Sequence, residues 1–317
     1  MTNQPNPKPS FDDFVKTCTP LLKIPELELQ MKAQVRNIMA ELFDFKSDSD
    51  SISNLKQFLK KDEKFLGVLL ALTNLSQEKF LRIISAERFA KEDFGAEWGA
   101  KYIYKKLNKD DEFAESIAKL FIEGRDNQLL IQQVADFYLE QLSLPANWLE
   151  IIRDENVIGN IVRKKLTGEY NDLKGAYVEK MISDVLNKIE EKYGLLHFHG
   201  QVKFLGKEVD HVIPSLEEPY VMIMVSYMET TSSNQTTRAN EQQAMYTKII
   251  GDNIRFSPIE RIFINIVDGA GWLARRSDLR KMHAGCHYCI NIKTLDQLEP
   301  IICKYVPNKY FNKKSFS

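Results

Sequence analysis

The sequence contains no apolar run as long as the roughly 20 residues that a membrane-spanning helix requires. The start, MTNQPNPKPSFDDF, lacks the basic and then apolar pattern of a signal peptide, and this predicts a cytoplasmic protein. Cysteine is scarce, with 4 scattered residues, which excludes a disulfide framework and indicates reduced thiols. Glycine (14) and proline (11) are too few for collagen-like or low-complexity chains.

Charge of one sign is also missing, because the formal net charge is −1 and therefore gives no general basic character. What is present is typical of a globular protein, with 44% hydrophobic and 27% charged residues. A chain of 317 residues is long enough for one large domain or two modest ones. From Gly251 to the C-terminus, Lys and Arg outnumber Asp and Glu, so this part favours contact with a polyanion.

Helical periodicity dominates the first half of the sequence. The first ten residues are polar and proline-rich and predict a frayed end. From Phe11 to about Asn156, apolar residues recur three and four apart, as in LELQMKAQVRNIMAELF and NQLLIQQVADFYLEQL. Polar breaks such as SDSDS and NKDD predict turns between helices. The pattern predicts a helical N-terminal region over residues 1–156.

The pattern changes after Asn156. A helix is predicted from about Leu173 to Tyr193, and another from about Thr237 to Ile250. Short runs rich in β-branched and aromatic residues predict strands at LLHFHGQVKFL, EVDHVIP, YVMIMVSY, RIFINIV and CHYCINI. The segment LDQLEPIICKY predicts a closing helix. This order predicts an α/β domain with a mixed sheet flanked by helices over residues 157–317.

One strand carries a residue suited to metal-dependent phosphodiester cleavage. That chemistry needs carboxylates that hold one or two divalent cations beside the scissile phosphate. Asp210 lies in KEVDHVIP, and the next strand would normally supply a second acid about half-way along. No acid is present there, because this strand reads VMIMVSY from Val221 to Tyr227.

The stretch from Lys207 to about Ile302 resembles the catalytic half of the DpnII/MboI-type restriction endonucleases, which belong to the PD-(D/E)XK nuclease superfamily. VDHVI is similar to that family's DFVI strand, and IVDGAGW is similar to its TDGxGW segment. Upstream, VIGNIVRKK and LKGAYVEKMI resemble the family's glycine turn and the helix bearing G-x-x-x-E, here Gly175 and Glu179. The resemblance implies a PD-(D/E)XK-like core and a type II site-specific endonuclease of a restriction-modification system.

Two active-site positions depart from the family pattern. The family's second strand carries E-x-N, whereas Met224 and Ser226 stand at those positions here. Three alternatives follow from this difference. The missing carboxylate comes from Glu241 in the next helix, or it comes from Glu229 just past the strand end. In the third alternative the site is degenerate, and the protein binds DNA without cutting it.

The polar loop METTSSNQTTRANEQ offers many hydrogen-bonding side chains without bulk, which suits contacts with phosphates and base edges. The competing interpretation is a surface turn that ends in a helix N-cap at Thr236 or Thr237. Arginines after the DGAGW segment form a second basic stretch. The residues expected to contact DNA are Ser232, Ser233, Asn234, Gln235, Arg238, Arg275 and Arg276.

Other polar residues are expected to have structural roles. Asp268 is interpreted as a turn residue, with Gly269 and Gly271 supplying positive φ angles and Trp272 anchoring the turn. HAGCHYC resembles a metal cluster, but alternate residues of a strand point to opposite faces and cannot all converge on one zinc ion. The histidines near the motif strands, expected at core or edge positions, are His197, His199 and His211.

These observations predict a nuclease that cuts double-stranded DNA at a short palindromic site as a homodimer. Asp210, Glu241 and Glu179 form the expected catalytic set. Asp210 and Glu241 would bind Mg²⁺, and Glu179 would support a second ion or a water molecule. Two alternatives remain: a catalytically silent, sequence-specific DNA-binding protein on the same scaffold, and a helical protein-interaction module whose C-terminal part is only structural.

Overall fold

The computed structural model describes residues 4–45 and 51–311. Its contacts group the chain into two compact units. The helical unit comprises Pro25–Tyr170, and the sheet unit comprises Met1–Ile24 together with Asn171–Ser317. Within the described ranges, no helix combines the length and the apolar character needed to cross a membrane.

Helices make up the first part of the chain, as the periodicity predicts. Those formed by described residues are α1 (Phe11–Thr17), α2 (Pro25–Phe43), α3 (Ser51–Lys61), α4 (Glu63–Leu72), α5 (Gln77–Ala90), α6 (Ala100–Lys109), α7 (Asp111–Glu123), α8 (Gln128–Ile131), α9 (Asp136–Leu139), α10 (Trp148–Ile151) and α11 (Glu155–Tyr193). Local sequence sets several starts: Asp62 caps α4 by accepting a hydrogen bond from the Lys64 amide at 2.7 Å. Phe58, Phe65 and Phe121 are fully buried in one core that holds the helical unit together.

The sheet unit contains a five-stranded mixed sheet among the described residues. Its strands are β1 (Phe198–Phe204), β2 (Lys207–Ile213), β3 (Val221–Tyr227), β4 (Ile262–Asp268) and β5 (Tyr288–Ile290), in the spatial order β1-β2-β3-β4-β5. The pairs β1–β2 and β2–β3 are antiparallel, and the pairs β3–β4 and β4–β5 are parallel. All five strands lie, to within one residue, inside the β-branched and aromatic runs that predict them, so the expected α/β class is confirmed.

Helices cover both faces of this sheet. The remaining helices are α12 (Gln235–Arg255), α13 (Ala270–Ala274), α14 (Arg276–Ala284) and α15 (Leu298–Tyr305). One core joins one face of the sheet to α11 and α15, with Ile223 and Ile264 at its centre. A second core joins the other face to α12 and α14, with Met222 and Phe263 at its centre. The alternation of side chains along β3 and β4 therefore divides their residues between two apolar layers.

Two features of the structure bear on expectations for the region before the sheet. The glycine turn expected in VIGNIVRKK is absent, because Gly159 lies inside the continuous helix α11. The division drawn from the sequence at 156/157 also lies inside α11, whereas the contacts place the change between Tyr170 and Asn171. Where independently folding domains begin and end stays a prediction.

The N-terminal segment, defined as residues 4–24, is held against the sheet unit, so the frayed end expected for the first ten residues is wrong for residues 4–10. The ammonium group of Lys8 donates hydrogen bonds to the carbonyl oxygens of His283 and Cys286 at 2.8 and 2.7 Å. In α1, Phe14 is buried against the ring of His283. Further along, Asn291 donates a side-chain hydrogen bond to the Thr17 hydroxyl at 2.6 Å.

Candidate active site

Backbone pairing between β2 and β3 determines the position of Asp210. His211 pairs with Ile223 and Val212 pairs with Met222, and the same register places Asp210 opposite Met224. The backbone amide of Val225 donates a hydrogen bond to Asp210 Oδ2 at 2.7 Å. The neighbouring strand thus orients the Asp210 carboxylate while leaving its second oxygen available.

A cleft of about 410 Å³ lies beside this carboxylate. Strand β2 and helix α12 bring Asp210 and Glu241 to the same cleft, although the two residues are 31 positions apart in sequence. The cleft also carries positive charge, because Lys207 and Arg238 line it. All its lining residues are Lys203, Gly206, Lys207, Glu208, Asp210, Met224, Val225, Arg238, Glu241, Gln242 and Met245.

Two side chains of this cleft have polar atoms that a ligand can engage. Glu241 Oε1 lies 3.3 Å from Lys207 Nζ, and the two side chains are 49% and 39% exposed. An ion pair this exposed is weak, so Glu241 can exchange its partner readily. The side-chain oxygen of Gln242 is buried and accepts no hydrogen bond from any described group. A buried acceptor without a donor is costly, and it favours a water molecule or a cation nearby.

The pKa of Asp210 depends on its burial, on a hydrogen bond and on nearby charges, one of which is Glu179 on α11. Burial raises the pKa of Asp210, the hydrogen bond from Val225 lowers it, and the negative charge of Glu179 raises it again. The nearby charges of His199 and Arg238 act in the lowering direction. Glu179 is exposed on α11 yet close enough for its negative charge to raise the pKa of Asp210. Two acidic side chains therefore lie near the same part of the site.

Glu229, the other expected source of a carboxylate, lies elsewhere. Its carboxylate accepts hydrogen bonds from Lys174 Nζ at 2.8 and 2.9 Å and from the amide of Leu22 at 3.0 Å. The hydroxyl of Tyr227 donates to it as well. Burial opposes ionisation of Glu229, but these hydrogen bonds lower its pKa below the ordinary value. Glu229 lines a separate cavity of about 140 Å³ together with Lys174 and Tyr227.

Ser226 stands at the position of the family asparagine and contacts two neighbouring elements. Its buried hydroxyl oxygen accepts a hydrogen bond from Trp272 Nε1 at 3.2 Å and a longer one from Arg238 Nη1 at 3.5 Å. Trp272 belongs to the DGAGW segment, and Arg238 lines the cleft. Ser226 therefore connects that segment with the cation of the cleft.

The DGAGW segment forms a turn that packs on the backbone after β3. A Cβ atom added to Gly269, whose φ is +106°, would lie 2.2 Å from the Met228 carbonyl oxygen. A Cβ atom on Gly271 would lie 2.3 Å from the Thr230 carbonyl oxygen. Only glycine permits these approaches.

Asp268, the first residue of this segment, holds the turn through backbone groups. It is buried, and its carboxylate accepts hydrogen bonds from the amides of Thr19, Gly269 and Ile292 at 2.6, 2.8 and 3.1 Å. Burial raises the pKa of Asp268, and these backbone hydrogen bonds act in the opposite direction. Asp268 is the last residue of β4 and anchors the turn at Gly269, whereas the positive φ angle expected of Gly271 is wrong, because Gly271 lies in α13.

The polar loop has both an anchored and an open part. Gln235 is fully buried, where its side chain accepts a hydrogen bond from the Ser232 amide and donates one to the Gly271 carbonyl oxygen, each at 3.0 Å. Gln235 thus holds the loop rather than facing solvent. Ser232 is half-buried, whereas Ser233 and Asn234 are exposed. Helix α12 begins at Gln235 after Asn234, so the helix start expected after Thr236 or Thr237 is wrong.

Arg275 and Arg276 have different surroundings. Arg275 donates hydrogen bonds to the buried carboxylate of Asp278 at 3.0 Å and to the Thr236 hydroxyl at 2.7 Å. The side chain of Arg276 is 57% exposed and lies 3.2 Å from Asp12. Arg276 is the more accessible of the two to a ligand in solution.

Among the described residues, no three or more His, Cys, Asp and Glu side chains already converge as a metal-binding group. The HAGCHYC residues have structural partners: Cys286 donates to the His283 carbonyl oxygen, and His287 Nδ1 accepts the Phe263 amide. Lys207 and Gln242 were not predicted as site residues. No pattern in the sequence singles them out, because only the approach of α12 to β2 brings them to the cleft.

Residues 153–299 match the family model for the DpnII restriction endonuclease. The matched segment contains Asp210, Glu241 and the DGAGW turn, together with Glu179 on α11. The resemblance drawn from the sequence motifs is thereby confirmed for this part of the chain. No curated protein and no solved structure matches the chain.

Proposed function

Because residues 153–299 resemble DpnII restriction endonucleases, we propose that this protein is a type II restriction endonuclease. Its substrate is double-stranded DNA, and its reaction is hydrolysis of phosphodiester bonds at a short specific site. The observation that carries the proposal is the cleft in which Asp210 and Glu241 lie together with Lys207 and Arg238. This combination of acids and cations suits a scissile phosphate and a divalent ion.

The residues of the cleft fit a hard divalent cation such as Mg²⁺. This ion prefers oxygen ligands and is commonly held by one or two carboxylates, with water and substrate phosphate completing its coordination. Asp210 and Glu241 supply two carboxylates, and the unpartnered oxygen of Gln242 lies at the same cleft. When bound, the ion would polarise the phosphate and lower the pKa of a coordinated water molecule.

Protein side chains have distinct tasks in this proposal. Asp210 and Glu241 hold the cation, and Glu179 supports a second ion or a water molecule beside Asp210. Arg238 and Lys207 lie where positive charge would stabilise a phosphate oxygen. Lys207 therefore offers a cation from β2 itself, whereas β3 contains no lysine or arginine.

Exposed polar groups of the sheet unit are the proposed contacts to DNA. Ser233 and Asn234 face solvent on the loop before α12, and Arg276 is exposed after the DGAGW turn. These side chains suit phosphate and base-edge contacts. A palindromic target would be met by a homodimer, since two-fold symmetry in DNA is matched by two-fold symmetry in the protein.

Incubation of the purified protein with unmethylated phage DNA and Mg²⁺ tests the proposal. Discrete fragments with one end sequence are expected, and sequencing of those ends would identify the target. The variant Asp210→Ala should lose cleavage and retain DNA binding, whereas Glu217→Ala, a change in an exposed loop, should cleave like the wild type. Cleavage by Asp210→Ala at the wild-type rate would refute the assignment of this residue.

A further variant tests the role of Glu241. Glu241→Gln should abolish cleavage, because it removes a carboxylate from the cleft. The second candidate function, a DNA-binding protein that does not cut, rests on Met224 at the position of the family glutamate. Binding at a defined sequence without nicking in Mg²⁺ or Mn²⁺ would establish that function. Absence of salt-dependent affinity for any duplex would instead favour a protein-interaction module.

A further inference from the structure

His211 is buried in β2 with both ring nitrogens unpartnered. Its side chain is 0% exposed, and neither Nδ1 nor Nε2 has a hydrogen-bond partner among the described groups. A buried polar atom left in this state destabilises the fold, so native structures rarely keep such groups without a use. The proposed nuclease mechanism does not use this imidazole.

Two further histidines surround this ring. His199 on β1 is the direct cross-strand partner of His211, and the centres of the two rings are 4.6 Å apart. The ring of His197 lies two residues earlier in the chain, with its centre 6.2 Å from that of His211. The β1–β2 hairpin therefore gathers three imidazoles on one of its faces.

An acid already orients one of these imidazoles. Nδ1 of His197 lies 2.9 Å from Glu190 Oε2 on α11. When Nδ1 carries the hydrogen of this contact, Nε2 is left as the unprotonated nitrogen that can bind a metal. Carboxylates that accept a hydrogen bond from a metal-binding histidine are a recurring feature of zinc sites, where they set the tautomer and the ring orientation.

We propose that His199 and His211, with His197 as third ligand, bind a transition-metal cation of the Zn²⁺ type. Neutral imidazole is the preferred ligand of Zn²⁺, Ni²⁺ and Cu²⁺, whereas Mg²⁺ prefers oxygen. A tetrahedral ion bonded to one nitrogen of each ring at about 2.0–2.1 Å would hold two ring centres roughly 5 Å apart. The measured separation of 4.6 Å between His199 and His211 is close to that value.

The surroundings support metal binding at this hairpin. His199 is exposed, which leaves an open path from solvent. The three described rings do not yet converge on one point, so binding requires them to rotate about their side-chain bonds.

This cation would be separate from the one proposed for the cleft. Adjacent residues of a strand point to opposite faces, so His211 and Asp210 lead to different sides of β2. The hairpin site requires no DNA and no nuclease activity. An ion bound there would join β1 to β2 and would stiffen the strand that carries Asp210.

Calorimetric titration of untagged, metal-free protein with ZnCl₂, in the absence of DNA, tests this inference. One saturable ion per chain is expected, and Co²⁺ should give the visible absorption of a site with nitrogen ligands. His199→Ala should lose binding, and it changes an exposed side chain, so the fold is retained. Glu190→Gln should weaken binding about 10–100-fold. His287→Gln, which changes a histidine of the HAGCHYC segment, is the matched control and should bind like the wild type.

The outcomes separate this inference from the proposed function. Asp210→Ala should bind Zn²⁺ with wild-type affinity while losing DNA cleavage. Absence of saturable Zn²⁺ binding by the wild type would overturn the inference, as would undiminished binding by His199→Ala. Loss of binding in His287→Gln alone would assign the ion to the HAGCHYC segment and would also overturn it.

Discussion

Lys174 on α11 donates hydrogen bonds to both carboxylate oxygens of Glu229, at 2.8 and 2.9 Å, and the two side chains are only 6% and 12% exposed. This ion pair distinguishes Glu229 from Glu241, the other candidate for the missing carboxylate. Glu229 is held within the protein and stabilises the loop that follows the strand. Among the described residues, Glu241 pairs with Lys207, which is 39% exposed, so its carboxylate stays available for a ligand.

Glu229→Gln should lower the free energy of unfolding by about 3 kcal/mol, because it removes the carboxylate that faces the buried ammonium group of Lys174. Urea denaturation followed by circular dichroism measures this change. Glu241→Gln is the control and should leave the urea midpoint unaltered, since its side chain is 49% exposed. If Glu241→Gln lowered the stability and Glu229→Gln did not, Glu241 rather than Glu229 would have the structural role.

Glu179→Gln should lower the pKa of Asp210 in the metal-free protein. Burial raises that pKa first, and the negative charge of Glu179 raises it further because it disfavours a second negative charge nearby. Removing the charge therefore shifts the titration of Asp210 to lower pH. Carboxyl-carbon NMR measures the shift, with Glu191→Gln, an exposed acid on the same helix, as the control. An unchanged titration would mean that Glu179 does not act on Asp210.

Gly271→Ala should destabilise the protein by about 3 kcal/mol or more, since the added Cβ would lie 2.3 Å from the backbone oxygen of Thr230. Gly251→Ala in α12 is the matched control, because no atom lies within 4 Å of its added Cβ. The control should gain about 0.5–1 kcal/mol, as alanine is favoured over glycine inside helices. Comparable stability of the two variants in thermal unfolding would contradict the tight approach at the turn.

Arg276→Ala should reduce the salt dependence of DNA binding, because each lost phosphate contact lowers the slope of log K against log salt by about 0.9. Fluorescence anisotropy with a duplex at several salt concentrations measures this slope. Arg275→Ala should act chiefly on stability, since it leaves the buried carboxylate of Asp278 without its arginine. A slope unaltered by Arg276→Ala would remove this arginine from the DNA contacts.

Short-range patterns in the sequence predicted much of the architecture. β-branched and aromatic runs marked all five strands, since such residues favour a pleated and partly buried backbone. The helix expected from about Thr237 to Ile250 is present as α12, which extends from Gln235 to Arg255. Asp210 could be singled out because its strand has a recognisable pattern within a few residues.

Contacts between distant segments were not predictable in the same way. Nothing near Gln242 indicates that its oxygen lies unpartnered at the cleft of Asp210. Gln235 looks like any polar loop residue, yet a backbone oxygen 36 positions later accepts its amide hydrogen. Gly159 suggested a turn, but glycine costs a helix only about 1 kcal/mol, which packing along the rest of α11 can offset.

The N-terminal segment has a consequence for how the chain is made. Thr17 contacts Asn291 across 274 positions, so the N-terminal segment binds a partner that is translated much later. The helical unit is continuous in sequence and can form during synthesis. Translation adds about 5–20 residues per second, so many seconds separate the synthesis of the N-terminal segment from that of the residues it contacts. The contacts of Asp268 with Thr19 and Ile292 are therefore completed only after Ile292 has been translated.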